Sequence, residues 1–308
     1  MMETILKLTN ITKSYKQKNA VDNVNMTINR GDVYGLIGRN GAGKSTLMRM
    51  ITSLARPTAG QIELFGQTSK SGLQQGRKRM GAIIERPALY ESLTAVQNLE
   101  YYQRLKGVPD KKVIEQTLKV VGLTDIEKKK VKDFSLGMKQ RLGIAIALLN
   151  SPDFLILDEP TNGLDPMGVV EIRELIKRLN GEYRITLLIS THVPAELSLV
   201  ATRYGIIEKG QMIKELTQAE LNEVCQSCLK ITVADAYKAS TVIETVLTTK
   251  NYKVVGDKEI HLYDYLGQAS IVNSELVSNG VAVVSIAEVG ENLEDYFMNL
   301  VQGGGANV

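Results

Sequence analysis

The chain has 308 residues, 44% of them hydrophobic, which is enough for one large α/β domain and a smaller one. Its 37 lysines and arginines stand against 34 acids for a net charge of +3, so no basic face marks a nucleic-acid binder. No run approaches the roughly eighteen consecutive apolar residues of a membrane-crossing helix, and the first residues lack the apolar core of a secretory signal, so a soluble protein is expected. Cys225 and Cys228 form one Cys-x-x-Cys with no second ligand pair, and the only histidines are His192 and His261, so the cysteines read as reduced thiols. The basic run Lys128 to Lys132 reads as a solvated turn.

In chain order, residues 5–11 and 24–28 alternate as strands, and Val33 to Ile37 is a short apolar strand. It leads into Gly38-Arg39-Asn40-Gly41-Ala42-Gly43-Lys44-Ser45-Thr46, which opens a helix with Leu47, Met50, Ile51 and Leu54 on one face. A glycine-rich loop between strand and helix is a phosphate cradle. Backbone N–H groups turn inward, the helix N-terminus adds partial positive charge, Lys44 reaches the β- and γ-phosphates, and Ser45 offers its hydroxyl to Mg²⁺. Such a loop serves kinases, GTPases, motors and transporter ATPases alike.

After the turn at Pro57 and Gly60, Gln61 to Gly66 closes another strand, Met80 to Ile84 follows, and Pro87 to about Leu149 is mostly helical, with Val113, Leu118 and Val121 among its apolar positions. Phe154 to Glu159 is an apolar run of the kind that forms a buried parallel strand, ending in two carboxylates where open α/β sheets bind ligands. Asp158 is placed to hold Mg²⁺ through water and Glu159 to polarise an attacking water.

Between these motifs lies Phe134-Ser135-Leu136-Gly137-Met138-Lys139-Gln140-Arg141, followed by a helical apolar segment. Here the chain resembles the ATP-binding cassette (ABC) family, whose Leu-Ser-Gly-Gly-Gln signature is altered at its first, third and fifth positions but keeps Ser135 and Gly137. The amides at this helix start can bind a γ-phosphate, although Ser135 read alone is an N-cap. The resemblance, which covers about residues 3 to 215, implies more: a dimer-communication loop at Asn162-Gly163-Leu164-Asp165, a switch histidine at His192 after the strand Ile185 to Ile189, and Tyr15 stacked on adenine. Where the family usually has glutamine, this chain has Glu85. With the altered signature, that acid looks like the ATPases of bacitracin-resistance and lantibiotic-immunity exporters, and it is a candidate Mg²⁺ ligand.

The expected fold is a P-loop ABC ATPase domain over residues 1–216, with a helical subdomain near 87–149. A small α+β domain of ferredoxin-like βαββαβ order is expected over 217–308. Its elements are a strand at Leu229 to Val233, a helix carrying Val242, Ile243, Val246 and Leu247, strands near 252–255 and 259–263, a helix near 268–279, and a strand from Val281 to Ile286. A final helix carries Leu293, Tyr296, Phe297 and Leu300 before a glycine tail from Gly303 to Gly305.

The resemblance implies two such ATPase domains closing face to face. Each ATP is then held by Lys44 and Ser45 of one chain and by Ser135 and Gly137 of the other, while Glu159 and His192 act on the γ-phosphate and Asp165 links the sites. It also implies membrane permease partners and a place on the cytoplasmic face of the cell membrane. A GTPase lacks support because no Asn-Lys-x-Asp element is present. A regulatory ATPase on ribosomes or DNA more often carries tandem cassettes or a basic face, and a non-catalytic module is disfavoured by Lys44, Asp158, Glu159 and His192.

Overall fold

A computed structural model describes residues 3–16, 18–110, 112–124, 129–290 and 293–303, so Lys128 and the glycines Gly304 and Gly305 lie outside the described residues. The chain divides into two compact units, one running to Gln218 and taking in the chain from Leu300, the other Ala219–Asn299.

The first unit opens with β1 (Thr4–Tyr15) and β2 (Lys18–Asn29), then β3 (Val33–Ile37), α1 (Lys44–Ile51), β4 (Ala59–Leu64), α2 (Lys70–Lys78) and β5 (Met80–Ile83). The helical stretch follows as α3 (Ala95–Lys106), α4 (Lys112–Val120) and α5 (Leu136–Leu148). The chain then returns through β6 (Phe154–Asp158), α6 (Pro166–Gly181), β7 (Thr186–Thr191), α7 (Pro194–Leu197), β8 (Arg203–Glu208) and β9 (Gln211–Thr217).

Strands β3, β6 and β7 are buried at every position, which is why their centres read as near-continuous apolar stretches rather than alternating ones. They lie side by side in a six-stranded sheet of order β5-β6-β7-β3-β8-β9, parallel except for β9. A second, antiparallel sheet of order β2-β1-β4 brings Ile5, Leu8, Val24 and Met26 into one core with Tyr34, Leu47 and Ile156.

Leu54 departs from the expected apolar face. Helix α1 stops at Ile51, the Thr52 hydroxyl donates back to the Met48 and Arg49 carbonyls, Ser53 turns to φ +68°, and Leu54 is left 70% exposed. Likewise β5 ends at Ile83, before Ile84, and Glu85 takes a left-handed φ of +64°.

A charged cluster ties the base of the sheet. Asp153 accepts from Arg79 Nε at 2.8 Å and Arg30 Nη1 at 3.0 Å, and the hydrogen bond from Arg79, then that from Arg30, holds its carboxyl below the usual aspartate range. A lowered pKa stabilises the fold above the unfolded value of about 3.9, and the contribution is lost as pH falls through the folded value. Because the group is a third exposed, solvent screening limits it to about 0.5–1 kcal/mol. Asp153→Asn is therefore expected to lose about that much stability at pH 7 in urea unfolding, with the gap from the parent closing below about pH 4.

The second unit contains α8 (Gln218–Cys225, from its second residue), β10 (Cys228–Val233), α9 (Ala236–Thr245), β11 (Tyr252–Val254), β12 (Glu259–Leu262), α10 (Ala269–Ser278), β13 (Val283–Val289) and most of α11 (Leu293–Gly303). Its antiparallel sheet has the order β11-β12-β10-β13, the strand order of a split βαβ module. Leu229, Ile231, Ile260 and Leu262 meet Ala239, Ile243, Val272 and Leu276 of the two helices in one core. The expected helical position Val246 falls on the C-cap of α9 and is 41% exposed, and Val281 precedes its strand, buried against α10.

Candidate active site

The sheet order assembles the site. Because β6, β7 and β3 are adjacent and parallel, with Asp158 opposite Ser190 and Ile37 opposite Thr191, their C-terminal ends bring Glu159, His192 and the Gly38 loop together.

The loop from Gly38 to Gly43 needs glycine at both ends. At Gly43, the N-cap of α1, φ is +110° and a Cβ would meet the Ala20 carbonyl oxygen at 2.5 Å; at Gly38 a Cβ would meet the Ile207 oxygen at 2.5 Å. No side chain caps α1, so its first amides face the loop without an intramolecular anion. Arg39, Asn40, Gly41 and Ala42 form the turn between these glycines, and Thr46 lies in the first turn of α1.

Lys44 is 4% exposed, and its ammonium donates to the carbonyls of Gly38 at 2.6 Å and Arg39 at 3.2 Å. It also lies 3.0 Å from Glu159 Oε1, while the other oxygen of that carboxylate meets His192 Nδ1. Glu159 therefore sits between a buried cation and an imidazole. Its backbone is held at φ +49°, a region costly for a residue with a Cβ, and its N–H donates to Ser190 Oγ at 2.9 Å. The same hydroxyl donates to Asp158 Oδ1 at 2.6 Å, fixing a carboxylate that is 2% exposed. In the sequence nothing marks Ser190 beyond its place two residues before His192. Its bridging of Asp158 and Glu159 depends on the register of β6 and β7.

A cleft of about 650 Å³ is lined by Asn40, Ser45, Glu85, Lys139, Asp158, Glu159 and Gly163 among others, so the glycine loop and the acids share one space with the Glu85 turn. The Glu85 carboxylate is engaged by the Arg49 guanidinium from α1. Ser135 caps α5, its hydroxyl accepting from Met138 N at 3.2 Å, so the N-cap reading holds while the helix's first turn stays at the surface. Gly137 lies beside Leu164, and Asp165 caps α6 by accepting from Gly168 N at 3.0 Å. Tyr15, at the end of β1, is 49% exposed with Lys13 Nζ 4.9 Å from its ring centre. Tyr15, Ser135 and Gly137 do not line the cleft that holds Ser45 and Glu159.

Comparison with known proteins shows which chains this one resembles. The ABC transporter family model matches residues 21–162. The bacitracin transport ATP-binding protein BcrA of Bacillus licheniformis is 43% identical over 303 residues, covering 98% of this chain and 99% of the relative. The lantibiotic transport ATP-binding protein SrtF of Streptococcus pyogenes is 46% identical over 211 residues, 68% of this chain and 90% of that protein. Among solved structures, the ATP-binding cassette MJ0796, a dimer in a post-hydrolysis state bound to ADP and Pi, superposes with a TM-score of 0.63 at 29% identity, covering 70% of this chain and 99% of that one. The cbiO1 protein of Clostridium perfringens, part of the ABC transporter complex cbiONQ, gives 0.66 at 29% identity, covering 80% and 97%.

Proposed function

Because the chain belongs to the ATP-binding proteins of ABC transporters, we propose that its ATP hydrolysis powers export of, or resistance to, an antimicrobial peptide of the bacitracin or lantibiotic type through separate membrane permease subunits. The observation that carries hydrolysis is Glu159 held between Lys44 and His192 beside a glycine loop that a Cβ would block. The peptide class rests on the similarity to a bacitracin transport ATP-binding protein along 98% of the chain, the second unit included. Among the described residues no helix is long and apolar enough to cross a membrane, so the translocation path is assigned to other chains, with this one peripheral on the cytoplasmic face.

Ser45, Asp158 and Glu85 bring a hydroxyl and two carboxylates to one cleft, an oxygen donor set that fits Mg²⁺. When bound there, the cation neutralises charge on the phosphate oxygens. Lys44 exchanges its contacts with loop carbonyls and Glu159 for the β- and γ-phosphates. Glu159, freed from Lys44, orients the water that attacks the γ-phosphorus as the bond to the β-γ bridging oxygen breaks, and His192 contacts the γ-phosphate. Tyr15 stacks on adenine. Ser135 and Gly137 of a second copy close the site, with Asp165 linking the two halves. Residues 1–216 are the ATPase domain in this scheme and 217–308 an accessory domain.

Glu85 is assigned to coupling. An ionised carboxylate only accepts hydrogen bonds, so here it attracts the cation or its water and repels the γ-phosphate, where a glutamine could donate. Its contact with Arg49 ties the turn after β5 to the phosphate-loop helix. In the complex recovered with its permease partners from membranes, Glu85→Ala is expected to bind ATP within about twofold of the parent yet lose peptide tolerance relative to ATP consumed. Unchanged affinity, ATPase rate and tolerance would make Glu85 a surface acid. Recovery of no permease with the chain, or tolerance independent of it, would overturn the exporter reading.

A further inference from the structure

Beside the site stands an acid outside the scheme above, Glu196. Two residues past Glu159, Thr161 donates its hydroxyl to Glu196 Oε2; immediately before His192, the Thr191 hydroxyl lies within reach of the same oxygen at 3.5 Å and of the Val193 carbonyl at 3.4 Å. One carboxylate oxygen thus collects the turn that follows one candidate catalytic group and the turn that precedes the other. We infer that Glu196 is a positioning residue, a latch that keeps Glu159 and His192 in register for hydrolysis without itself touching the nucleotide; this rests on the roles given to those two residues above.

The latch is itself held. Glu196 lies on α7, which Pro194 starts, and the neighbouring Leu197 is 3% exposed against β3. That close approach needs Gly35, where a Cβ would lie 2.6 Å from Leu197 Cδ1. The cavity that Thr161, Thr191 and Glu196 line measures only about 20 Å³, so the carboxylate has little room for another arrangement. Downstream of it, the Asn162 N–H donates to the Glu159 carbonyl at 3.1 Å and the Leu164 N–H to the Thr161 carbonyl at 3.1 Å. The turn after Glu159 is therefore fixed at both its side chain and its backbone.

A displacement of about 1 Å at a reacting group can cost up to a hundredfold in rate. In the full chain, Glu196→Ala is expected to lower single-turnover hydrolysis about ten- to a hundredfold while ATP affinity stays within about twofold. Hydrogen exchange at the amides of Asn162 and Leu164 should quicken in the same variant. Glu196→Gln keeps a carbonyl that accepts from both hydroxyls and should restore most of the rate. Thr161→Val should slow turnover as well, and combined with Glu196→Ala it should add little, because both remove one interaction.

Glu159→Gln is measured alongside as the control that abolishes turnover. Parent-like hydrolysis in Glu196→Ala, with Glu159→Gln inactive, would overturn the latch while leaving the site assignment standing. Glu196→Gln as slow as Glu196→Ala would also overturn it, since charge rather than hydrogen bonding would then be what matters. Parent turnover in Glu159→Gln would overturn the site assignment and the latch with it.

Discussion

Glu159→Gln is expected to bind ATP as the parent does and to hydrolyse it at least about a hundredfold more slowly, the usual scale of a lost general base. The substitution keeps the size of the side chain and one hydrogen-bonding oxygen but removes the negative charge that faces the attacking water. Lys44 at 3.0 Å and the His192 imidazole both lose an anionic partner in a site whose lysine is nearly fully buried. Because phosphoryl transfer depends mainly on positioning and charge neutralisation, few other groups can compensate. Rapid-quench hydrolysis beside a nucleotide titration checks both halves of the expectation. A variant that hydrolyses at the parent rate would remove Glu159 from the mechanism.

Lys44→Ala acts one step earlier. Its ammonium, 4% exposed, is held by two loop carbonyls and by Glu159 at the mouth of the phosphate loop. A charge-assisted contact of this kind is worth about 1.5 to 3 kcal/mol, so ATP affinity is expected to fall by roughly ten- to more than a hundredfold. The loss should exceed that of any other single residue of the loop, because the substitution removes the cation that the scheme above places on the β- and γ-phosphates. Unchanged affinity in calorimetric titration would mean that the glycine loop does not hold phosphates.

The parts of this fold that stood out in the sequence are those where a local pattern has one physical solution. An apolar run as short as Phe154 to Leu157, too short for a helix, fits a strand covered on both faces, and a glycine loop between Ile37 and Leu47 fits a tight turn that exposes amides. Strands β8 and β9 lie outside what the sequence patterns predict. In β9 the apolar residues Met212 and Ile213 sit beside Lys214 and Glu215, and only Leu216 is buried, which leaves little periodicity to read. The apolar spacing carries α1 on to Leu54, whereas the Thr52 hydroxyl and the positive φ of Ser53 terminate it at Ile51.

Within the candidate site, residues next to a recognisable motif stand out in the sequence, and residues that meet only across the fold do not. Ser190 joins Asp158 to the Glu159 backbone only because β6 and β7 pair in one register. Glu196 meets Thr161 across 35 positions of sequence, a separation no local pattern reports. The Arg49 partner of Glu85 is hidden for the same reason, since one lies on α1 and the other in the turn after β5, 36 positions apart.

Sedimentation velocity of the Glu159→Gln chain with ATP and Mg²⁺, above the nucleotide's dissociation constant, tests the paired ATPase most directly. ATP that binds but is not consumed should hold two chains together through the Lys44 and Ser45 loop of one and the Ser135 and Gly137 helix start of the other. A species of twice the mass that appears with ATP and dissolves on nucleotide removal is expected. Monomer alone, with ATP bound, would contradict the shared site.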